Sequence, residues 1–486
     1  MLILRYKCFK GLAEVYIKCD FMKQSLLQHF HSKQQSIEER IDKGKAIRKK
    51  IPRLKHAEFN RATDRMDPVS ILEKQAETRL PDLVPIRHAR MLTSPFAFLR
   101  GAAGIMAGDL AAGVNTGITV QACGDMHVAN FGVFASAEHN LVFGINDFDE
   151  TLPGPWEWDL KRLATSVVTS GKFLGANKQL CEEAVMETVR SYRERIRKYA
   201  TKGNLELWYS SIGEADILDA LSPSAREGAV KIISKARSAT HMQVLGKLTD
   251  LVDDQFRLRV NAPFIVRETH TQAGRPINEA LELFLDTYFK SLADDRKHLL
   301  KHYRIVDVAR KIVGVGSVGT RCWIIFLTGN DENDPFFLQV KEAQHSVLEP
   351  YLPKSIYESQ GRRVVEGQRL IQGAPDIFLG WGEIDGLHFY VRQLRDMKGG
   401  VDFDPEKVKV KNIPQYGALC GWALALAHAK SGDAAMLSGY MGNSDELDEA
   451  ITQYAFAYDE QNELDYIVFK EAVSSGRLKA SIAEGP

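Results

Sequence analysis

Residues 304–327 read RIVDVARKIVGVGSVGTRCWIIFL. Two runs rich in strand formers flank Gly314-Val-Gly316-Ser317-Val-Gly319. A dinucleotide fingerprint with this glycine spacing must open a helix. Here Thr320 to Leu327 favours a strand, so the segment is expected as strand, Gly-rich loop, strand. The glycines alone also fit a plain turn; the flanking strands make a phosphate-covering flap the sharper expectation. A strong turn signal, Thr328 to Pro335, leads to a third strand, Phe336–Val340. Lys341 ends that strand in apolar company, where an ammonium needs a partner. A phosphate and a carboxylate would supply one, and the following helix, about Tyr357 to Gln372, offers Glu366. Two more strands, 377–381 and 387–393, flank Asp385-Gly386. Backbone groups near Gln393 then stand where a base could pair with the chain.

Working toward the N-terminus, a strand at 119–123 runs into Gly124-Asp125-Met-His127-Val-Ala-Asn130-Phe131. A loop of this length can aim the Asp125 carboxylate at a hydroxyl and the Asn130 carboxamide at a metal, with His127 between them. Strands at 131–134 and 141–145 form a hairpin that returns the chain to Asn146-Asp147-Phe-Asp149-Glu150. Asp147 and Asp149 are hard oxygen ligands suited to magnesium. Each of these residues alone fits a turn; their joint spacing points to phosphoryl transfer, which works by positioning and charge neutralisation. Asp159, in Trp156-Glu-Trp-Asp-Leu-Lys-Arg162, is expected to anchor the loop, and His428 to pack at the site's edge.

Lys+Arg and Asp+Glu both number 63, which removes the global charge expected of a nucleic-acid binder. The six cysteines are scattered with no Cys-x-x-Cys pair, which fits free thiols in a reducing cytoplasm. Charged residues interrupt the apolar stretch 1–21, and no membrane span is expected; Met22 offers an alternative start. Residues 23–56 are basic, ten Lys/Arg against three Asp/Glu, and are expected as a solvated helix from about Gln24 to Lys50 that Pro52 stops.

Gly124-Asp-x-His-x-x-Asn130 and the acidic turn after it resemble the aminoglycoside and choline kinase branch of the protein-kinase-like superfamily. The resemblance implies Asp125 as catalytic base, Asn130 and Asp147 as magnesium ligands, and ATP-dependent transfer to a hydroxyl acceptor. The segments SPFAFLRGAA, CGDMHVANFG, NDFDETLPGPWEWDLKRL, GVGSVGTRCW, LQVKEA and AHAKSGD are similar to a bacterial family catalogued only as domain of unknown function 2252. In ordinary kinases the Gly flap and its lysine come before the catalytic loop, whereas here they follow it. The expected fold is therefore α+β, two-lobed and protein-kinase-like, with a mainly helical large lobe, a small antiparallel β lobe and a circularly permuted order. Its divisions are an extension and helical arm (1–90), a catalytic-loop half (91–300), a small β lobe (301–400) and completing helices (401–486). The competing readings are a metal-dependent phosphoesterase using Asp125-x-His127 and Asn146-Asp147, a non-catalytic nucleotide-binding module, and transfer of AMP on the same fold.

Overall fold

Capping chemistry sets many of the helix starts. Ser36 and Glu39 form a reciprocal cap on α1 (Ile37–Lys50). Asp67 caps α2 (Pro68–Ala76), α3 spans Val84–Met91, and Ser94 followed by Pro95 opens α4 (Pro95–Gly101), ahead of α5 (Ala103–Ala111). These belong to a computed structural model that describes residues 30–312, 314, 316–394 and 397–481. The expectations for 1–21, for the helix start near Gln24 and for Arg395 lie outside those residues.

Next come β1 (Thr119–Ala122), β2 (Phe131–Ala135), β3 (Leu141–Ile145), β4 (Leu152–Pro155), α6 (Trp156–Phe173) and α7 (Lys178–Tyr199). The middle of the chain holds α8 (Asn204–Tyr209), β5 (Ile212–Gly213), α9 (Glu214–Asp219), α10 (Pro223–Ser238), α11 (His241–Leu248), β6 (Thr249–Val252), β7 (Gln255–Leu258) and β8 (Ile265–Val266), then α12 (Ile277–Ser291) and α13 (Asp294–Leu300). The last part runs β9 (Arg304–Lys311), β10 (Cys322–Thr328), β11 (Pro335–Glu342), α14 (Gln360–Ile371), β12 (Gly380–Ile384), β13 (Leu387–Gln393), α15 (Ile413–Ser431), α16 (Ala434–Met441) and α17 (Glu446–Ser474). The chain is α+β, about half helical, with small antiparallel sheets.

The largest sheet has six strands in the order β12-β13-β11-β10-β9-β8, with antiparallel neighbours throughout. Its side chains alternate between two cores, as a period of two requires. Ile324, Phe326 and Phe337 face a core shared with Leu80, Leu83, Val244 and Leu258. Ile325, Leu327 and Leu338 face another, shared with Phe284 and Tyr288 of α12. These cores therefore draw on residues 244–300, which the sequence reading assigned to the preceding division. The strand expected at 377–381 begins three residues later because the Asp376 carboxylate accepts the N–H groups of Phe378 and Gln393 and turns the chain there.

A separate, larger core joins Trp156, Leu160 and Val167 of α6 to Tyr192 of α7, Leu424 of α15, Tyr440 of α16 and Ile451 of α17. It is built from both halves of the chain around the six-stranded sheet. Helix α1, expected to be solvated, instead packs on α16: a Cβ on Gly44 would lie 2.0 Å from Met436 O. Cys123, Cys181, Cys322 and Cys420 are free and buried. Among the described residues no helix is long and apolar enough to cross a membrane.

Candidate active site

The loop after β1 is held from beneath. Asp159, in the first turn of α6 and buried, accepts the backbone N–H groups of Cys123 and Gly124 at 2.6 and 2.9 Å. Carboxylates favour that end of a helix, where the dipole is positive. His428 Nε2 lies 3.2 Å from the same carboxylate, and its Nδ1 is 2.8 Å from Tyr192 OH. Gly124 has φ +82°, and a Cβ there would sit 2.7 Å from Glu150 O, so only glycine fits where the loop crosses the acidic turn.

Asp125 then emerges half-buried and pairs with Arg162, whose Nε donates at 2.9 Å and whose other nitrogen also donates to Leu99 O at 2.9 Å. Asp159 and Arg162 are three apart on α6, so one helix face both anchors the loop and holds its carboxylate. Burial pushes the Asp125 carboxyl above its usual range even though Arg162 opposes the shift. His127 Nε2 stands 3.8 Å from Asp125 Oδ2. Burial, with Arg100 and Arg162 nearby, pushes His127 well down. The Asn130 carboxamide nitrogen donates to Asp125 O at 2.7 Å.

The acidic turn follows β3. Its Asp149 forms an ion pair with Lys341, accepts a 2.7 Å hydrogen bond from Tyr390 OH and lies 3.3 Å from Ser317 Oγ. Asp147 is 3.9 Å from Lys341. Lys341 and Tyr390 are cross-strand neighbours on β11 and β13, so the sheet delivers both to the turn. Burial alone would raise Asp149, but the charge and hydrogen bond of Lys341 outweigh it and hold it low. Asp147 goes up, from burial and from the Asp149 charge. Burial opposes the Lys341 charge, yet Asp147 and Asp149 together raise it well above its usual range. Glu150, whose carboxylate accepts Val347 N–H at 2.7 Å, is pushed by burial up to about 7.

Two expected roles change. Glu366 is not the partner of Lys341: its ion pairs run to Arg362 at 3.6 Å and Arg369 at 4.0 Å. Helix α14 reaches the site through Arg363 instead, which donates to Asp149 O and Gln344 O at 2.8 Å and Thr151 O at 2.7 Å. The backbone N–H of Gln393 is taken by Asp376, and that of Leu394 by Phe337 O, so neither is free for a base. Sequence reasoning missed Arg162, Arg363 and Tyr390. The three-residue step from Asp159 to Arg162 was a usable signal; Tyr390 had none, because strand pairing is long-range.

Gly314, with φ +68°, and Gly319, with φ +94°, turn the Gly-rich loop back toward the acidic turn. Gly316 abuts Arg100 O, 3.3 Å from where a Cβ would be. Leu80 N–H donates to Gly319 O at 2.8 Å, and Thr320 N–H to Ser317 O at 3.1 Å. The loop is thus pinned between α3–α4 on one side and Asp149 on the other.

Among the described residues no group of three His, Cys, Asp or Glu side chains stands ready for a metal. Asp147, Asp149 and the Asn130 carboxamide are nonetheless hard oxygen groups, the donor type that magnesium prefers. A model of an uncharacterized protein family conserved in bacteria, DUF2252, matches residues 79–472. The chain belongs to this family. No curated protein and no solved structure matches it. In this DUF2252 protein the matched region takes in the Gly-rich loop, Lys341 and both acidic segments.

Proposed function

We propose that this DUF2252 protein is an ATP- and magnesium-dependent phosphotransferase acting on a hydroxyl, with a permuted protein-kinase-like fold. The supporting observation is the Lys341–Asp149 pair, with Asp147 beside it. It joins a strand-borne lysine next to a Gly-rich loop to an acidic turn nearly two hundred residues earlier in the chain. The small lobe is the six-stranded sheet with its flanking helices. The large lobe is the core shared by α6, α7 and α15–α17.

In this mechanism the Gly-rich loop and Lys341 bind and orient the nucleotide phosphates, and Asp147, Asp149 and Asn130 are the residues that would hold the cation. Magnesium, when bound, neutralises charge building on the transferred group. Asp125 accepts the acceptor hydroxyl proton as the new P–O bond forms and the bond to ADP breaks. Its raised pKa suits a base that must take and release that proton. Arg162 fixes the carboxylate's direction, and Asp159 fixes the loop beneath it.

Titration calorimetry with ATP and magnesium tests this. The wild type should give a heat of binding. Asp147→Ala should lose the magnesium-dependent part, and Asp125→Ala should keep binding and lose turnover. No heat with the wild type refutes the proposal. ATP labelled on the γ-phosphate or on adenine then separates phosphate transfer from AMP transfer by which label reaches the acceptor.

A further inference from the structure

The stretch 79–100 carries four arginines, two of which donate to the Gly-rich loop. Arg79 donates to Val318 O, Arg90 to Gly314 O, and Arg87 to Gly101 O and the Gln75 side chain. Arg100 lies by its backbone against Gly316 and Arg79 by its Cβ against Gly319, so the two flank the loop. Among the described residues none of the four makes an ion pair with a carboxylate. The Nε atoms of Arg79 and Arg100, and both Nε and Nη1 of Arg87, are buried without an acceptor. Arg87 is 1% exposed.

A buried, unpaired guanidinium is costly, and each orphaned N–H adds to the cost. The carboxylates that act on these arginines are Asp125, Asp147, Asp149, Glu150 and Glu342. Most already have closer partners: Asp125 is held by Arg162, Asp149 by Lys341, and Glu342 by Arg321. The positive charge behind the loop is therefore only partly matched, by Glu150 and Asp147. Carbonyl contacts satisfy part of the donor set but none of the charge. A tetrahedral oxyanion meets both needs, since guanidinium forks pair bidentately with phosphate.

We propose that Arg79, Arg87 and Arg100 form a phosphate-binding cradle between the Gly-rich loop and Asp125. Its ligand is a phosphate group, either the terminal phosphate of the nucleotide or one carried by the acceptor. The cradle deepens the phosphotransferase proposal and rests on it only for which of these two phosphates is bound.

The probe is inorganic phosphate, titrated into the full chain without nucleotide or magnesium. The wild type should bind it. Arg87→Gln and Arg100→Gln should each weaken binding about tenfold or more, the scale of one lost charge-assisted contact. Arg362→Gln, whose guanidinium stacks on Tyr357 and Trp381 elsewhere, should leave it unchanged. Arg79→Gln and Arg100→Gln, at half-buried side chains, carry the test if Arg87→Gln does not fold. Phosphate that competes with ATP but not with ADP occupies the terminal-phosphate position; phosphate that binds alongside ATP marks the acceptor. No binding of phosphate to the wild type, or equal affinity in the arginine variants, overturns the cradle whether or not ATP binds.

Discussion

Lys341 and Asp149 depend on one another. Lys341 is buried on β11, and Asp149 with Asp147 supplies its only counter-charges within ion-pair reach among the described residues. Removing one partner of such a pair leaves an uncompensated charge. Asp149→Ala should therefore lower stability by about 2–4 kcal/mol, softened by Asp147, and the double variant Lys341→Met/Asp149→Ala should recover part of the loss. Urea unfolding of the single and double variants checks this; strictly additive losses would show that the pair is not coupled. A second buried acid gives a pH signature. Glu157 accepts Thr116 N–H at 2.6 Å, and burial pushes its carboxyl up to about 7. The fold thus prefers the protonated form. The stability this contributes is full below the ordinary glutamate pKa near 4.5 and drains as pH rises toward 7. Glu157→Gln cannot ionise, so it should gain on the wild type by roughly 1–3 kcal/mol between pH 5 and pH 8. A gap between the two proteins that stays constant with pH would contradict this. At this scale Asp125, Asp147 and Lys341 were legible because residue type and spacing mark them. The partner of Lys341 was not. Which turn of α14 lies over the strand depends on the aperiodic connection 343–359, and that puts Arg363 rather than Glu366 at the acidic turn.

Helix α1 shows what periodicity can hide. Its composition reads as a solvated arm, yet Gly44 meets the backbone of α16, and Gly439 meets Ile41 O at 2.1 Å from its would-be Cβ. Two backbones this close leave no room for side chains. Gly44→Val should push the helices apart and cost about 1–3 kcal/mol, the usual range for overpacking. The readout is a lower thermal midpoint and faster proteolysis within 37–50, and unchanged proteolysis would show the seam to be loose. A signal existed in the spacing of Ile37, Ile41, Gly44 and Ile47, one small or apolar residue per turn, but the surrounding charge masked it. The strands were easier to read: β2, β3, β9 and β13 fall close to their expected places because alternation and turn residues bound them. β12 slipped because Asp376 uses its carboxylate to build a turn, a side-chain choice that propensity does not record.

At the scale of the whole molecule the six-stranded sheet and the loop of Asp125 come from separate parts of the chain, and Arg79 and Arg90 tie the Gly-rich loop to the segment before β1. The sequence shows each part; their facing surfaces emerge only from long-range packing, such as α11 and α12 covering the two faces of the six-stranded sheet. If one ligand spans the two parts, its binding must slow opening of both together, because local unfolding is suppressed wherever the bound form alone makes the contacts. Hydrogen exchange with and without ATP and magnesium should show protection in four segments at once: the Gly-rich loop at 316–320, the end of β11 near Lys341, the 124–130 turn and the 146–150 turn. These segments are far apart in sequence, so a shared response cannot come from local stiffening. Lys341→Met should abolish all four effects together. Protection confined to the sheet, with the acidic turns exchanging as before, would mean that the nucleotide touches only one part, and Asp125 could not then serve as the base.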